Sequence, residues 1–193
     1  MRTAWSATIH RLDPQQLVCV DASGTTLAMT PRFGRAPRGQ RVIGTAPRNH
    51  GPNTSLLAAL SPAGITAALT VEGAVDRKVF DAFVAQVLVP TRRPGQTVVW
   101  DNLSVHKSAR AQKLIEAARC HVAFLPPYSP DVAPIEQAFS KLKTFLRRAQ
   151  ARTRSTLNEA ITAGLATLTA TDARAWFAHG GYQLAGQPLG DPL

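Results

Sequence analysis

Phe124-Leu125-Pro126-Pro127-Tyr128-Ser129-Pro130-Asp131-Val132-Ala133-Pro134-Ile135-Glu136 is the stretch around which the chain organises. Its first residues end a short apolar strand, Cys120 to Leu125, which Pro126-Pro127 closes. Pro134 suits the first position of a helix, because its missing N–H would be unpaired there anyway. Ile135, Phe139, Leu142, Phe145 and Leu146 then fall at helical spacing and give that helix one apolar stripe. Upstream, Thr97 to Trp100 is a continuous β-branched run that stops on Asp101. Ser108 to Ala118, between the two strands, reads as a helix.

Further out, Gln16 to Val20 is an apolar run ending at Asp21. Ala22-Ser23-Gly24 reads as a turn and Thr25 to Met29 as a return strand, so a hairpin is expected there. Pro31 to Pro52 is rich in proline, glycine and arginine and reads as a long loop or ragged hairpin. Leu56 to Leu60 and Ile65 to Val71 read as strands joined by Ser61-Pro62-Ala63-Gly64. Asp76 to Val89 has helical period with Asp76 as N-cap. Two smaller helices are expected after the long one: Ser155 to Thr167, opened by a box-like Ser155-Thr156-Leu157-Asn158, and Asp172 to Ala178. Strands first, then alternation, then helices, point to an α/β fold: a mixed sheet with helices on both faces.

The composition says more about partners than about fold. Lys plus Arg total 22 against 12 for Asp plus Glu, a formal net charge of +10 in 193 residues. Such a charge favours a polyanion, and nucleic acid first. Hydrophobic residues make up 45%, enough for a core and too many for a disordered chain. Two cysteines, Cys19 and Cys120, exclude a disulfide scaffold and suit a reducing cytosol. No apolar run is long enough for a membrane span, and Met1 to Ser6 carry no apolar signal region.

In a chain so short of acid, three carboxylates stand at element ends: Asp21, Asp101 and Glu136. If the two aspartate strands are neighbours, the pair lies side by side, and a first-turn glutamate could complete an oxygen cluster. Oxygen-only clusters suit Mg²⁺ or Mn²⁺, and two such ions drive phosphoryl transfer in many sites. Each residue also has a plainer use. Asp21 before Ser23-Gly24 and Asp101 before Asn102 read as turn formers, and Glu136 as a partner of the helix dipole. The residues alone leave both uses open.

The surrounding words resemble a known family. Val99-Trp100-Asp101-Asn102-Leu103-Ser104-Val105-His106-Lys107 is similar to the DN-x-x-x-H block of mariner-superfamily transposases. Phe124 to Glu136 resembles their LPPYSP-x-x-x-PIE block, and Ala138 to Lys143 their W-x-x-LK helix. Between Asp101 and Glu136 lie 34 residues, a spacing typical of the superfamily. Val18 to Gly24 looks like the first-aspartate block, and Asp172 to Tyr182 resembles the closing segment of bacterial insertion-sequence transposases of the 630 family.

The resemblance implies a ribonuclease H-like fold with a five-stranded sheet. It implies that Asp21, Asp101 and Glu136 are a catalytic triad holding two Mg²⁺ or Mn²⁺ ions, which cuts element ends and joins them to target DNA. It organises the chain as a lead segment (1–16), a catalytic domain (17–182) and a flexible tail (183–193). It implies a homodimer in the active complex and a protein of the cytoplasm and nucleoid, not of a membrane. These transposases normally carry a helix-turn-helix region ahead of the catalytic domain. The chain is therefore expected to be a catalytic domain alone, the second frame of a split element served by a separate helix-turn-helix protein, or a decayed remnant. The family usually has an acidic residue at Ala22, Asn at Ala133 and Trp at Phe139.

Asn102 is read as positioning Asp101 or a phosphate, or as an ordinary turn residue. His106 is read as touching DNA or a water, or as a surface or capping histidine. Tyr128-Ser129-Pro130 is expected to shape the start of the Glu136 helix. Lys141, Lys143, Arg147, Arg148, Arg152 and Arg154 are the densest basic stretch and the candidate DNA contact. Arg32, Arg35, Arg38, Arg41 and Arg48 decorate the early loop as a binding or dimer-contacting arm, or a merely flexible one. Two rivals stand beside a transposase: a non-catalytic DNA-binding remnant, and a general ribonuclease H-like nuclease.

Overall fold

A computed structural model describes residues 13–49, 51–103, 105–126 and 132–183. Most of the lead segment, nearly all of the tail and Tyr128-Ser129-Pro130 lie outside the described residues. The strands are β1 (Leu17–Thr25), β2 (Thr54–Ser61), β3 (Gly64–Glu72), β4 (Thr97–Trp100) and β5 (His121–Phe124). They form one sheet in the order β3-β2-β1-β4-β5. β1–β2 and β2–β3 are antiparallel, whereas β1–β4 and β4–β5 are parallel. The sheet is thus mixed, as the order of elements requires.

The helices are α1 (Arg77–Phe83), α2 (Ala109–Ala117), α3 (Pro134–Ala149), α4 (Arg154–Ala166) and α5 (Ala170–His179). Strand alternation sorts the core in two. Leu17, Cys19, Leu56, Ala58, Leu60 and Val99 face one way, under Ile135, Phe139, Leu142, Leu157, Ile161 and Phe177 of α3, α4 and α5. Val18, Val20, Leu57, Ala59, Val98 and Trp100 face the other way, under Phe80 and Phe83 of α1 and Ile115 of α2. Each large side chain so buried contributes about 1.5–3 kcal/mol before entropy is charged against it. Helices on both faces are therefore observed.

Four local expectations need correction. No hairpin forms at Ala22-Ser23-Gly24: β1 runs straight through, and Cys19 to Thr25 pair with Leu60 to Thr54 of β2. A tight hairpin there would call for Gly24 at positive φ, which it does not adopt. The long-range ladder, reinforced by the Thr25 hydroxyl donating to the Thr54 carbonyl at 2.9 Å, overrides the local turn signal. The expected helix from Asp76 is capped as read, with Asp76 accepting from the Val79 amide at 2.8 Å. It does not stay α-helical, loosening into a π turn at Val84–Leu88 and a 3₁₀ turn at Val89–Thr91. α4 starts at Arg154, capped by Thr153 rather than Ser155, in a box with Thr156. α5 is capped by Thr169, with Asp172 at the third helical position rather than the first.

Candidate active site

The site follows from register. β1 pairs with β4 so that Leu17, Val18 and Cys19 lie opposite Thr97, Val98 and Val99. That ladder stops at Cys19 and Val99; β1 runs on through Asp21, which therefore does not end its strand, and β4 ends at Trp100 with Asp101 directly after it. Alternation along β1 puts Asp21 on the face that carries Cys19, the face α3 covers, and Asp101 is near enough for its charge to act on Asp21. Glu136 stands at the third position of α3, with its amide donating to the Ala133 carbonyl at 3.1 Å. The fold therefore gathers three carboxylates that are far apart in sequence.

Their electrostatics show that they share a field. Asp21 is pushed up to about 6, first by burial, and further by the charges of Glu136 and Asp101. The Ala22 amide, donating to Asp21 Oδ1 at 2.7 Å, and the charge of His106 oppose that rise. Burial also works to raise Asp101, but the His106 hydrogen bond and the Leu103 amide outweigh it and leave Asp101 below its usual value. The Leu103 amide reaches Asp101 Oδ1 at 3.0 Å, and His106 Nδ1 contacts the same oxygen. In both aspartates the protein's hydrogen bonds fall on Oδ1.

His106 is neither a surface residue nor a cap. It is 1% exposed, its ring lies 4.6 Å from that of Phe80, and its amide bonds the Leu103 carbonyl at 3.0 Å. A carboxylate only accepts, so Nδ1 carries the proton and Asp101 receives it. Asn102 sends its side-chain amide to the Leu125 carbonyl, while the Leu125 amide bonds Trp100 at 2.9 Å. It ties the ends of β4 and β5 together rather than reaching out. The sequence offers His106 DNA, a water, the surface or a helix cap, and does not foretell its contact with Asp101.

The donor set is all carboxylate oxygen, which fits a hard divalent cation, and a cation would relieve the repulsion that raises Asp21. Among the described residues, no group of three or more His, Cys, Asp or Glu is drawn together tightly enough to hold a metal ion. The carboxylates share a field but are not closed on a common centre. Glu136, exposed at the helix start, is the member with room to move.

The basic stretch divides. Lys141 bonds Asp172 at 2.7 Å, Arg152 donates to the Leu27 and Met29 carbonyls at 3.0 and 3.1 Å, and Arg154 pairs with Glu72. Lys143, Arg147 and Arg148 make no such bond among the described residues. Lys143 and Arg147 fall within about 20° of the Glu136 meridian, roughly 10 and 16 Å further along the helix. Arg32, Arg35, Arg38, Arg41 and Arg48 are all exposed on the segment between β1 and β2.

This strand order, with helices on both faces, defines a ribonuclease H-like fold. The model of the DDE superfamily endonucleases matches residues 16–158, and the chain belongs to that family. Solved structures share the fold. A pre-cleavage Mos1 transpososome superposes with a TM-score of 0.73 at 15% identity, covering 93% of this chain and 56% of that one. A mariner Mos1 paired-end complex with Mg gives 0.69 at 17% identity, covering 93% and 56%. The catalytic domain of Mos1 mariner transposase gives 0.55 at 14% identity, covering 95% of this chain and 91% of that one. This chain thus spans little more than half of the larger relatives and nearly all of the catalytic domain. No curated protein matches the sequence. Among the described residues no helix is long and apolar enough to cross a membrane.

Proposed function

We propose that the chain is the catalytic domain of a mariner-type DNA transposase, cutting phosphodiester bonds at element ends and joining them to target DNA. The observation that carries this reading is that Asp21 in β1, Asp101 just past its neighbour β4, and Glu136 in the first turn of α3 come near enough for the charges of Glu136 and Asp101 to act on Asp21. Asp21, Asp101 and Glu136 would hold two Mg²⁺ or Mn²⁺ ions; the solved relatives include a complex with Mn and one with Mg, which supports a divalent cofactor. Ions held there would supply Lewis-acid chemistry, polarising phosphate oxygens and lowering the pKa of a bound water so that it can act as nucleophile.

The chain's own residues set up that chemistry. His106 and the Leu103 amide fix Asp101 through Oδ1, which leaves Oδ2 for a cation. The Ala22 amide does the same for Asp21. Asn102 keeps the β4 end from shifting against β5. Lys143 and Arg147 continue the Glu136 meridian and would track the DNA backbone away from the site, with Arg148 beside them. Lys141, Arg152 and Arg154, paired within the protein, would contribute field more than direct contact. The +10 charge and a relative's paired-end complex with a transposon end support DNA as substrate; a homodimer working in the nucleoid is part of the proposal.

The test is cleavage of a labelled DNA duplex with Mg²⁺ or Mn²⁺ by the wild-type chain and by Asp101→Asn. Metal-dependent cuts that fall to background in the variant support the reading. DNA binding with no cutting by either protein would instead make the chain a DNA-binding remnant. Preference for an RNA–DNA hybrid over duplex DNA would make it a general ribonuclease H-like nuclease.

A further inference from the structure

We infer that Tyr182 is a positioning residue for Glu136, acting through the main chain just before α3; this rests on the role proposed above for Glu136. The first turn of α3 is not fixed by a cap of its own. Ala133 at the N-cap has no side-chain oxygen to offer the first-turn amides. The restraint comes from elsewhere. The Tyr182 hydroxyl donates to the Val132 carbonyl at 2.8 Å, one residue before that cap.

The C-terminal segment is shaped to deliver this bond. α5 ends in a turn whose amides step back onto it: Gly180 onto Trp176, Gly181 onto Ala178 and Tyr182 onto Phe177, each at 3.0 Å. Gly181 sits at φ +88°, where other residues are strained. A Cβ on Gly180 would lie 3.1 Å from Tyr182 Cε2. The two glycines therefore fold Tyr182 back into the core, where it is 1% exposed and meets Phe177 edge-on at 5.3 Å. Burial raises its phenol further, so the hydroxyl stays a donor at any working pH. α5 also holds α3 beyond Glu136, through Lys141 and Asp172 at 2.7 Å. Glu136 lies between these two grips, and Tyr182 sets the height of the turn that carries it.

Tyr182→Phe keeps the ring and removes only the hydroxyl. The variant is expected to fold. Amide exchange over residues 132–138 should speed up about tenfold, the scale of one lost hydrogen bond. The Mn²⁺ concentration for half-maximal cleavage should rise about tenfold, the low end for a lost supporting contact, with KM for DNA unchanged. Gly181→Ala, which strains the turn, should reproduce the pattern. Ala133→Ser combined with Tyr182→Phe, by restoring a capping oxygen, should move both readouts back. Unchanged exchange over 132–138 overturns the inference whether or not the wild type cuts DNA. Faster exchange with an unchanged Mn²⁺ requirement overturns it too. A wild type that does not cut defeats the proposed function, and the exchange measurement then decides alone whether Tyr182 holds the turn.

Discussion

Asp21 lies inside β1 and Asp101 directly follows β4, its parallel neighbour in the sheet, and the charge of Asp101 acts on Asp21. Each is held by the protein through Oδ1. They differ in what surrounds them: Asp101 is supported by His106, while Asp21 is desolvated beside two like charges.

The cost at Asp21 has a measurable sign. Its carboxyl is raised to about 6, above the ordinary value, so the folded state favours the protonated form. That contribution is fully present below about pH 4 and is lost as pH rises through about 6. At pH 7.5 without divalent metal, Asp21→Asn should therefore raise Tm by roughly 2–4 °C, about 1 kcal/mol after discount for partial exposure. It should also abolish cleavage. A thermal melt of the metal-free proteins checks this, and a lower Tm for the variant would contradict it.

His106 offers a test by atom position. Asparagine places its side-chain N–H near where Nδ1 lies, whereas glutamine places it nearer Nε2. Because Nδ1 meets Asp101, His106→Asn should keep more metal-dependent activity than His106→Gln. His106→Ala should lose about 10–100-fold. Equal activity of the asparagine and glutamine variants would mean that the Nδ1 contact is not what matters.

The thiols should be silent in the native protein. Cys19 is pushed up to about 12, by burial first and the charge of Asp21 second, and burial also raises Cys120. Neither should be alkylated at pH 8 until the chain unfolds, and mass spectrometry after a timed iodoacetamide pulse reads this directly. Rapid labelling of the folded protein would show that the core opens around Cys19.

On the basic face, Lys143→Gln and Arg147→Gln should weaken binding to any DNA sequence alike. Each should lower the slope of log affinity against log salt by about 1. Arg154→Gln should change the slope less, because Arg154 is already paired with Glu72. A salt titration of binding to a duplex of unrelated sequence is the measurement.

Acid should loosen the grip of α5 on α3. Asp172 is lowered to about 2, mainly by Lys141 and then by Thr169. A lowered carboxyl contributes stability above about pH 4 that is lost as pH falls towards 2. The wild type should lose stability over that range, and Asp172→Asn should lose less, starting from a lower Tm. Melting curves from pH 5 to pH 2 show it.

Much of this was legible in the sequence, for identifiable reasons. The Thr97–Trp100 strand, Pro134 at the first helical position and the apolar stripe through Leu142 are local signals, and they hold. Asp101 and Glu136 stand at element ends as read, Asp101 just past β4 and Glu136 in the first turn of α3; Asp21, read as ending the first strand, lies inside β1, because that strand continues to Thr25. What the sequence hid depends on partners distant in the chain. The turn at Ala22-Ser23-Gly24 yields to a strand about thirty residues away. The buried contact of His106 depends on Phe80, and the pairing of Lys141 depends on Asp172. Tyr182 stood out in the sequence as the end of the closing block, after two glycines, with nothing to say where its hydroxyl would land.

The central claim is that Asp21, Asp101 and Glu136 act as one metal-holding centre. Mn²⁺ titration followed by electron paramagnetic resonance, on the wild type and on Asp21→Asn, Asp101→Asn and Glu136→Gln, tests it most directly. The account expects the wild type, bound to DNA, to take up two ions, and each variant to lose at least one. Equal Mn²⁺ uptake by all four proteins would contradict it.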